Sequence, residues 1–469
     1  MSEKRKNTAS SSKWLVIVTI IAAIIAAAGI FYYYNFFRQD NARLIESVPD
    51  DAVFIFEVND VEPFAKNITK LSPYMDEMFF MGSFAGFNSF LDKLPAKNGK
   101  NNGEIIISGH EIGEKVVLLH SAQMISRDFD KLLKILQIDS RNCTEFENTK
   151  IYNYGTHYRK FYFAWHHNVF SASENIDLLK MALKQHKQVK NLTFDENFKK
   201  IFAIVEKNSK QNWLLVDYAR YSDYLNKNIN EPYVFVNENS GNRLWAAYQI
   251  RLTENEIKFA GYVQLKSQIF ENEQFSGNIP YNVMPQNTDY CALFGGTPQI
   301  CRFVASHDTV VYNYAAVPLD TTDYKFEKFI PENATPDSCV KFKGRSIFRA
   351  AENTANFSGP RLKTDFSNVL EQDGFALLGD TLPALKYYVS IMGKMATIED
   401  NPLYRAVNQN LPSDFVYKEM HIFNSDYVRQ RFFTDKTALS QTSQKISVFG
   451  ISFSTLKDGV APTNIYLRF

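Results

Sequence analysis

Cysteine is scarce: Cys143, Cys291, Cys301 and Cys339 are the only four in 469 residues, and no two stand in a C-x-x-C pair. That count excludes a disulfide-dense secreted scaffold, and four residues allow three connectivities with nothing to select one, so disulfides and buried thiols both stay open. Charge bias is also missing, with 52 Lys and Arg against 51 Asp and Glu. A near-neutral chain without a basic stripe interleaved with aromatics lacks the footprint of nucleic-acid binding, which removes nucleic acid as a partner. Catalytic and cofactor motifs are absent as well: there is no G-x-S-x-G, H-E-x-x-H, Walker A, G-x-G-x-x-G or EF-hand pattern. Long apolar runs are missing everywhere except at one place near the N-terminus.

That place is Trp14 to Phe37, 24 residues without a charge. As a helix it would extend about 36 Å, against a hydrocarbon core of about 30 Å. Phe31 to Phe37 is rich in aromatics and Trp14 marks the other end, as at the two interfaces of a membrane. Lys4, Arg5, Lys6 and Lys13 precede the run and only Arg38 follows it closely, so the basic tail of residues 1–13 is expected in the cytoplasm and the body in the periplasm. A cleaved signal peptide ending near Ala26-Ala27-Ala28 is the competing reading, and it exports the same body.

The body carries 39 Phe, 25 Tyr and 4 Trp, a composition for strands and a packed core. After Val48-Pro49-Asp50-Asp51 an apolar run from Ala52 to Val58 predicts a strand, and Val61, Phe64, Ala65 and Ile68 predict a helix. A similar order returns at an offset of 236 residues, with Pro285-Gln286-Asn287-Thr288, an apolar run to Phe294, a Gly295-Gly296 turn and a helix expected from Thr297 and Pro298. Tyr152 to Trp165 alternates, His166-His167-Asn168 falls at a hairpin turn, and a helix is expected from Ser173. Thr193 and Glu196 form a capping-box pattern ahead of Phe198, Ile201, Phe202 and Val205. Leu244 to Leu252 and Ile257 to Leu265 read as a hairpin; further strands are expected at 309–317, 374–378, 415–423, 445–454 and 464–469, and helices near 323–329, 382–395 and 403–410. The expected fold is α+β, mostly antiparallel sheets with interspersed amphipathic helices, in two tandem related modules over 39–275 and 276–469 after one transmembrane helix.

This arrangement resembles Bacteroidota envelope proteins with one N-terminal span and a large domain of unknown function. The residues that carry the resemblance are the apolar span, Val48 to Phe54, the hairpin and helix from Phe161 to Leu183, Asn191 to Asp195, and Pro285 to Thr288. The resemblance implies a location and an architecture, and no activity.

The nearest approaches to chemistry are weak. His157, His166 and His167 sit near one turn with no cysteine or acid at zinc-like spacing; His110-Glu111 lacks the second histidine of a zinc helix. Asp50 and Asp51 are adjacent, so on a strand they point to opposite faces and read as solvated turn acids. Gly295-Gly296-Thr297-Pro298 reads as a tight turn more readily than as an anion cradle. Asp308-Thr309-Val310, Asp337-Ser338-Cys339 and Asp380-Thr381-Leu382 match the short Asp-Ser/Thr-apolar triplets of periplasmic O-glycosylation. No catalytic, cofactor-binding or metal residue is assigned. The expected function is a membrane-anchored binding or scaffolding protein of the envelope, held through residues 14–37 and engaging an envelope protein or lipid; an envelope-polymer hydrolase and a lipid carrier are the alternatives.

Overall fold

The structure, a computed structural model, describes residues 43–59, 105–113, 115–139, 141–155, 160–185, 192–207, 211–221, 243–253, 255–265, 274–275, 279–296, 299–307, 310–319, 324–335, 338–352, 365–392, 396–423 and 445–469. The span expected at 14–37 and the helix expected around Val61 to Ile68 lie outside these residues. Among the described residues no helix is long and apolar enough to cross a membrane.

The first half runs β1 (Ala52–Val58), β2 (Ile105–Ile112), β3 (Lys115–Gln123), α1 (Ser126–Ile135), β4 (Thr144–Phe146), β5 (Thr149–Gly155), β6 (Lys160–His166), β7 (Val169–Ser173), α2 (Ile176–Gln185), α3 (Glu196–Lys207), β8 (Trp213–Asp217), β9 (Trp245–Leu252) and β10 (Glu256–Gln264). The second runs β11 (Thr288–Phe294), β12 (Ile300–His307), β13 (Val310–Pro318), β14 (Val340–Phe342), β15 (Arg345–Arg349), β16 (Asn368–Gln372), β17 (Phe375–Gly379), α4 (Leu382–Met392), α5 (Pro402–Asn410), β18 (Tyr417–Ile422), β19 (Val448–Phe453) and β20 (Val460–Arg468).

All strand pairings are antiparallel. From one edge the order is β4-β5-β6-β7-β3-β2-β1-β8-β9-β10, and there β10 meets β20. It continues β20-β19-β18-β11-β12-β13-β17-β16-β15-β14 to the other edge. Several hairpins close through two residues of positive φ, such as Glu147-Asn148 (46° and 64°), His167-Asn168 (48° and 61°) and Asp373-Gly374 (49° and 82°). Those turns match the right-handed twist of the strands they join.

Helices α2 and α3 in the first half and α4 and α5 in the second pack on one face of the sheet, over Leu119, Ile151, Ile55, Trp245, Cys291, Phe303 and Leu377. On the opposite face α1 covers Tyr152, Phe163 and Phe170, and a 3₁₀ turn at Phe326–Phe329 covers Ala315 and Leu378. Between them that opposite face carries one buried cluster continuous across both halves, including Phe54, Phe56, Phe259, Phe294 and Phe453. β1, buried on both faces, therefore reads as an unbroken apolar run instead of an alternating one.

The expected α+β fold of two tandem modules is overturned. One sheet of 20 strands runs through the described chain. The reason is β20, which pairs with β10 over nine residue pairs on one side and with β19 on the other, joining strands that are far apart in sequence. Local predictions also shift. The helix expected from Thr297 is replaced by β12, because Cys301, Phe303 and Ala305 alternate onto the helix-covered face. The helix expected from Ser173 starts at Ile176, capped by Asn175, whose side chain accepts from the N–H groups of Asp177 and Leu178 at 2.8 and 3.0 Å. Asp195, not Thr193, caps α3 by accepting from Asn197 and Phe198.

Candidate functional site

Polar groups buried where the fold does not require them are the places to look for a site. The two halves supply an internal control, since β1–β2 and β11–β12 pair in the same register. Ala52 faces His110 and Phe54 faces Gly109 across an irregularity; Thr288 faces Ala305 and Tyr290 faces Val304 across the same one. His110 thus occupies the position of Ala305, Ser108 that of Phe303, and Asp51 that of Asn287.

These three first-half residues form a linear array. Ser108 Oγ lies 2.8 Å from His110 Nε2, and His110 Nδ1 lies 2.7 Å from Asp51 Oδ1. Ser108 and His110 meet because residues two apart on a strand share a face. Asp51 reaches them because Ala52, its neighbour, is the register partner of His110. Burial pushes the Asp51 carboxyl up, but the His110 hydrogen bond, the His110 charge and Arg220 outweigh it, and the net is a lowered pKa. Close by, Asp217 accepts from Arg243 Nε at 2.8 Å and lies 3.6 Å from Arg220 Nε. Its burial raises its pKa against both arginines. Arg243 also donates to the Asp50 carbonyl, stacks over Trp245 and pairs with Asp195 at 3.6 Å.

The hydrogen bonds have the sense of a nucleophile–imidazole–acid chain. Access does not: Ser108 and His110 are both 0% exposed, and solvent reaches only Asp51, at the acid end. In this conformation the array orients a buried imidazole and presents no nucleophile to a substrate.

The second half carries its own polar groups where the first has apolar ones. Glu419 and His421 on β18 stand at the positions of Leu214 and Val216 on β8. Tyr417 donates to the buried Glu419 carboxylate, and His421 Nε2 lies 2.6 Å from its other oxygen. On the helix-covered face Lys418 takes the position of Trp213. Its ammonium lies over the Phe415 ring and 3.3 Å from Asn408 Oδ1; burial brings its pKa down to about 8, with the Cys291 charge opposing. Burial likewise pushes the Cys291 thiol up to about 12. The four cysteines form no disulfide.

The sequence-read candidates fare differently. His157, Asp308, Thr309, Asp337, Thr297 and Pro298 lie outside the described residues. His166 and His167 meet edge to face, and Thr149 Oγ1 lies 3.1 Å from His166 Nδ1. Among the described residues no group of three His, Cys, Asp or Glu can hold a metal ion. Thr381 caps α4 through Ala384 N–H, and Asp380 accepts from Asn313. Asp50 is exposed, whereas Asp51, expected as a solvated turn acid, is the outer member of the histidine array. Sequence reading joined neither Ser108 nor Asp51 to His110, because 59 residues separate Asp51 from His110. The i, i+2 spacing of Ser108 and His110 was the one local signal.

No family model matches the sequence, and no curated protein is similar to it. Among solved structures, TP0453 in crystal form IV is 12% identical at a TM-score of 0.27, covering 48% of this chain and 83% of that one. In crystal form I it is 10% identical at a TM-score of 0.21, covering 75% of this chain and 98% of that one. Likeness at these scores carries no argument about fold or function.

Proposed function

We propose that this is a single-pass, membrane-anchored binding or scaffolding protein of the cell envelope, with its N-terminus cytoplasmic, residues 14–37 in the inner membrane and its body periplasmic. The observation that carries the reading is the single sheet: both halves are hydrogen-bonded into one platform, and Ser108 and His110 within it are buried away from solvent. A buried hydroxyl and imidazole suit a protein whose surface, not a cleft, does the work. The test is purification of the full-length chain from native membranes in mild detergent, with mass spectrometry of co-purifying proteins and lipids. One protein or lipid enriched over an anchor-only control supports the reading, and enrichment of neither overturns it.

Ser108, His110 and Asp51 favour a second reading, a hydrolase whose serine is uncovered in another conformation. A fluorophosphonate probe that labels the protein, with labelling lost in Ser108→Ala, would establish it. Absence of labelling removes it.

A further inference from the structure

The sheet is open, and its two edges are the matching strands of the two halves, β4 and β14. Each is three residues long, follows a cysteine and turns back through a two-residue hairpin, reading Thr144-Glu145-Phe146 at one edge and Val340-Lys341-Phe342 at the other. Phe146 and Phe342 are half-buried beneath lysines of α2 and α4, Lys180 and Lys184 in one case and Lys386 in the other. Glu145 and Lys341 are exposed, and Val340 is 39% exposed. Among the described residues no strand pairs with the outer side of either edge.

Hydrogen-bond parity places the same backbone groups outward at both edges. Phe146 faces Thr149, and Phe342 faces Arg345, across two-residue turns, so these are hydrogen-bonded pairs. In an antiparallel ladder the next pair is the non-hydrogen-bonded kind. The N–H and C=O of Glu145 and of Lys341 therefore point to the open side. Strand direction agrees as well: every neighbouring pair in the 20-stranded sheet is antiparallel, so its first and last strands run in opposite directions. A second copy that continues the same alternation and twist past β4 sets its β14 antiparallel to β4.

We infer that the β4 edge of one copy pairs with the β14 edge of another, centred on Glu145 opposite Lys341. In that register Thr144 faces Phe342 and Phe146 faces Val340. Directly opposed unlike charges and aromatic–β-branched pairs are stabilising, and like charges are not. The charges select the arrangement, because β4 against β4 opposes two glutamates and β14 against β14 opposes two lysines. Short, charged edges ordinarily guard a sheet against association. Two guards of one sign would repel in every pairing, whereas opposite signs leave one pairing attractive. Lys341 now donates to Ser346 across its own hairpin at 2.6 Å, and no described ion pair joins Glu145 to Lys150, which faces it. The contact is heterologous, so it builds a ring or an open row of copies, and three-residue strands make it weak and concentration-dependent.

The test is sedimentation velocity of the full-length protein in detergent, over a concentration series at low and high salt. Wild type is expected to associate with rising concentration, less so at high salt. Glu145→Lys alone and Lys341→Glu alone are each expected to weaken association by about fivefold or more, since each variant has edges of one sign. An equimolar mixture of the two variants is expected to associate again, because each edge then finds its opposite. Both residues are exposed, so unchanged thermal unfolding will show that the variants are folded. A wild type that stays monomeric, single variants that associate as wild type does, or a mixture no better than its components overturns the proposal.

Discussion

Asp51 is where the buried His110 meets solvent, and its lowered pKa makes the array a pH-dependent element of stability. A carboxyl depressed in the folded state contributes stability that is present above its unfolded pKa, near 3.8, and is lost as pH falls through the lower folded value. Asp51→Asn is therefore expected to cost about 1–2 kcal/mol at pH 7, the scale of a hydrogen bond to a charged group. The difference from wild type should close only as pH falls through the folded value, below 3.8, where wild-type Asp51 takes up its proton. Urea unfolding at pH 7 and at steps downward from pH 3.8 checks both. Lys418 works in the opposite sense. Its folded pKa of about 8 lies below its ordinary 10.5, so the unfolded chain binds more protons between those values and stability rises with pH across that window. Lys418→Met, which keeps the stem and removes the buried cation, should raise stability at pH 7 by about 1–3 kcal/mol, a gain that shrinks between pH 8 and 10.5 as wild type recovers. Trp213, buried at the matching position, shows that the sheet accepts an apolar side chain there. Calorimetry of both proteins across that range is the measurement.

Strands declare themselves through turns and runs, but their close contacts depend on partners. Gly261 on β10 faces Tyr248 on β9, and a Cβ on it would lie 1.9 Å from the backbone oxygen of Ala247. Gly109 on β2 faces Phe54, and the nearest atoms to a Cβ there are those of the Phe54 ring, from 2.4 Å. Backbone cannot give way as a ring can, so Gly261→Ala should destabilise by about 3 kcal/mol and Gly109→Ala by less. Urea midpoints of the two variants will rank them. The hairpin of β9 and β10 and the strands β13, β17, β18 and β19 were legible from alternation and turn residues. β2, β3 and β12 were not, since Ser108, Gly109, His110, His120, Ser121, Arg302 and His307 interrupt their apolar pattern while the neighbouring strands still bury most of them.

At the scale of the molecule the last strand is central in space. β20 occupies the middle of the sheet, between β10 and β19, although it ends the sequence. Removing residues 460–469 should therefore abolish cooperative folding instead of trimming an edge, because nine residue pairs on one side and six on the other lose their partner. Far-UV circular dichroism against urea will show a lost transition, and a retained one would mean the halves fold without the seam. The intact chain should unfold in one transition for the same reason.

Composition and local pattern determined that this body is strand-rich and aromatic-packed, that many hairpins turn where they do, and that Trp14 to Phe37 is the one run long enough to cross a membrane. Those properties depend on neighbours a few residues apart, and a sequence displays them directly. Tertiary structure alone decided that both halves share one sheet, that Asp51 meets His110 across 59 residues, and that opposite charges stand at opposite edges. Each is a matter of which strand lies beside which. Strand alternation states which face a side chain takes and leaves the identity of the neighbouring strand to the pairing of the whole chain.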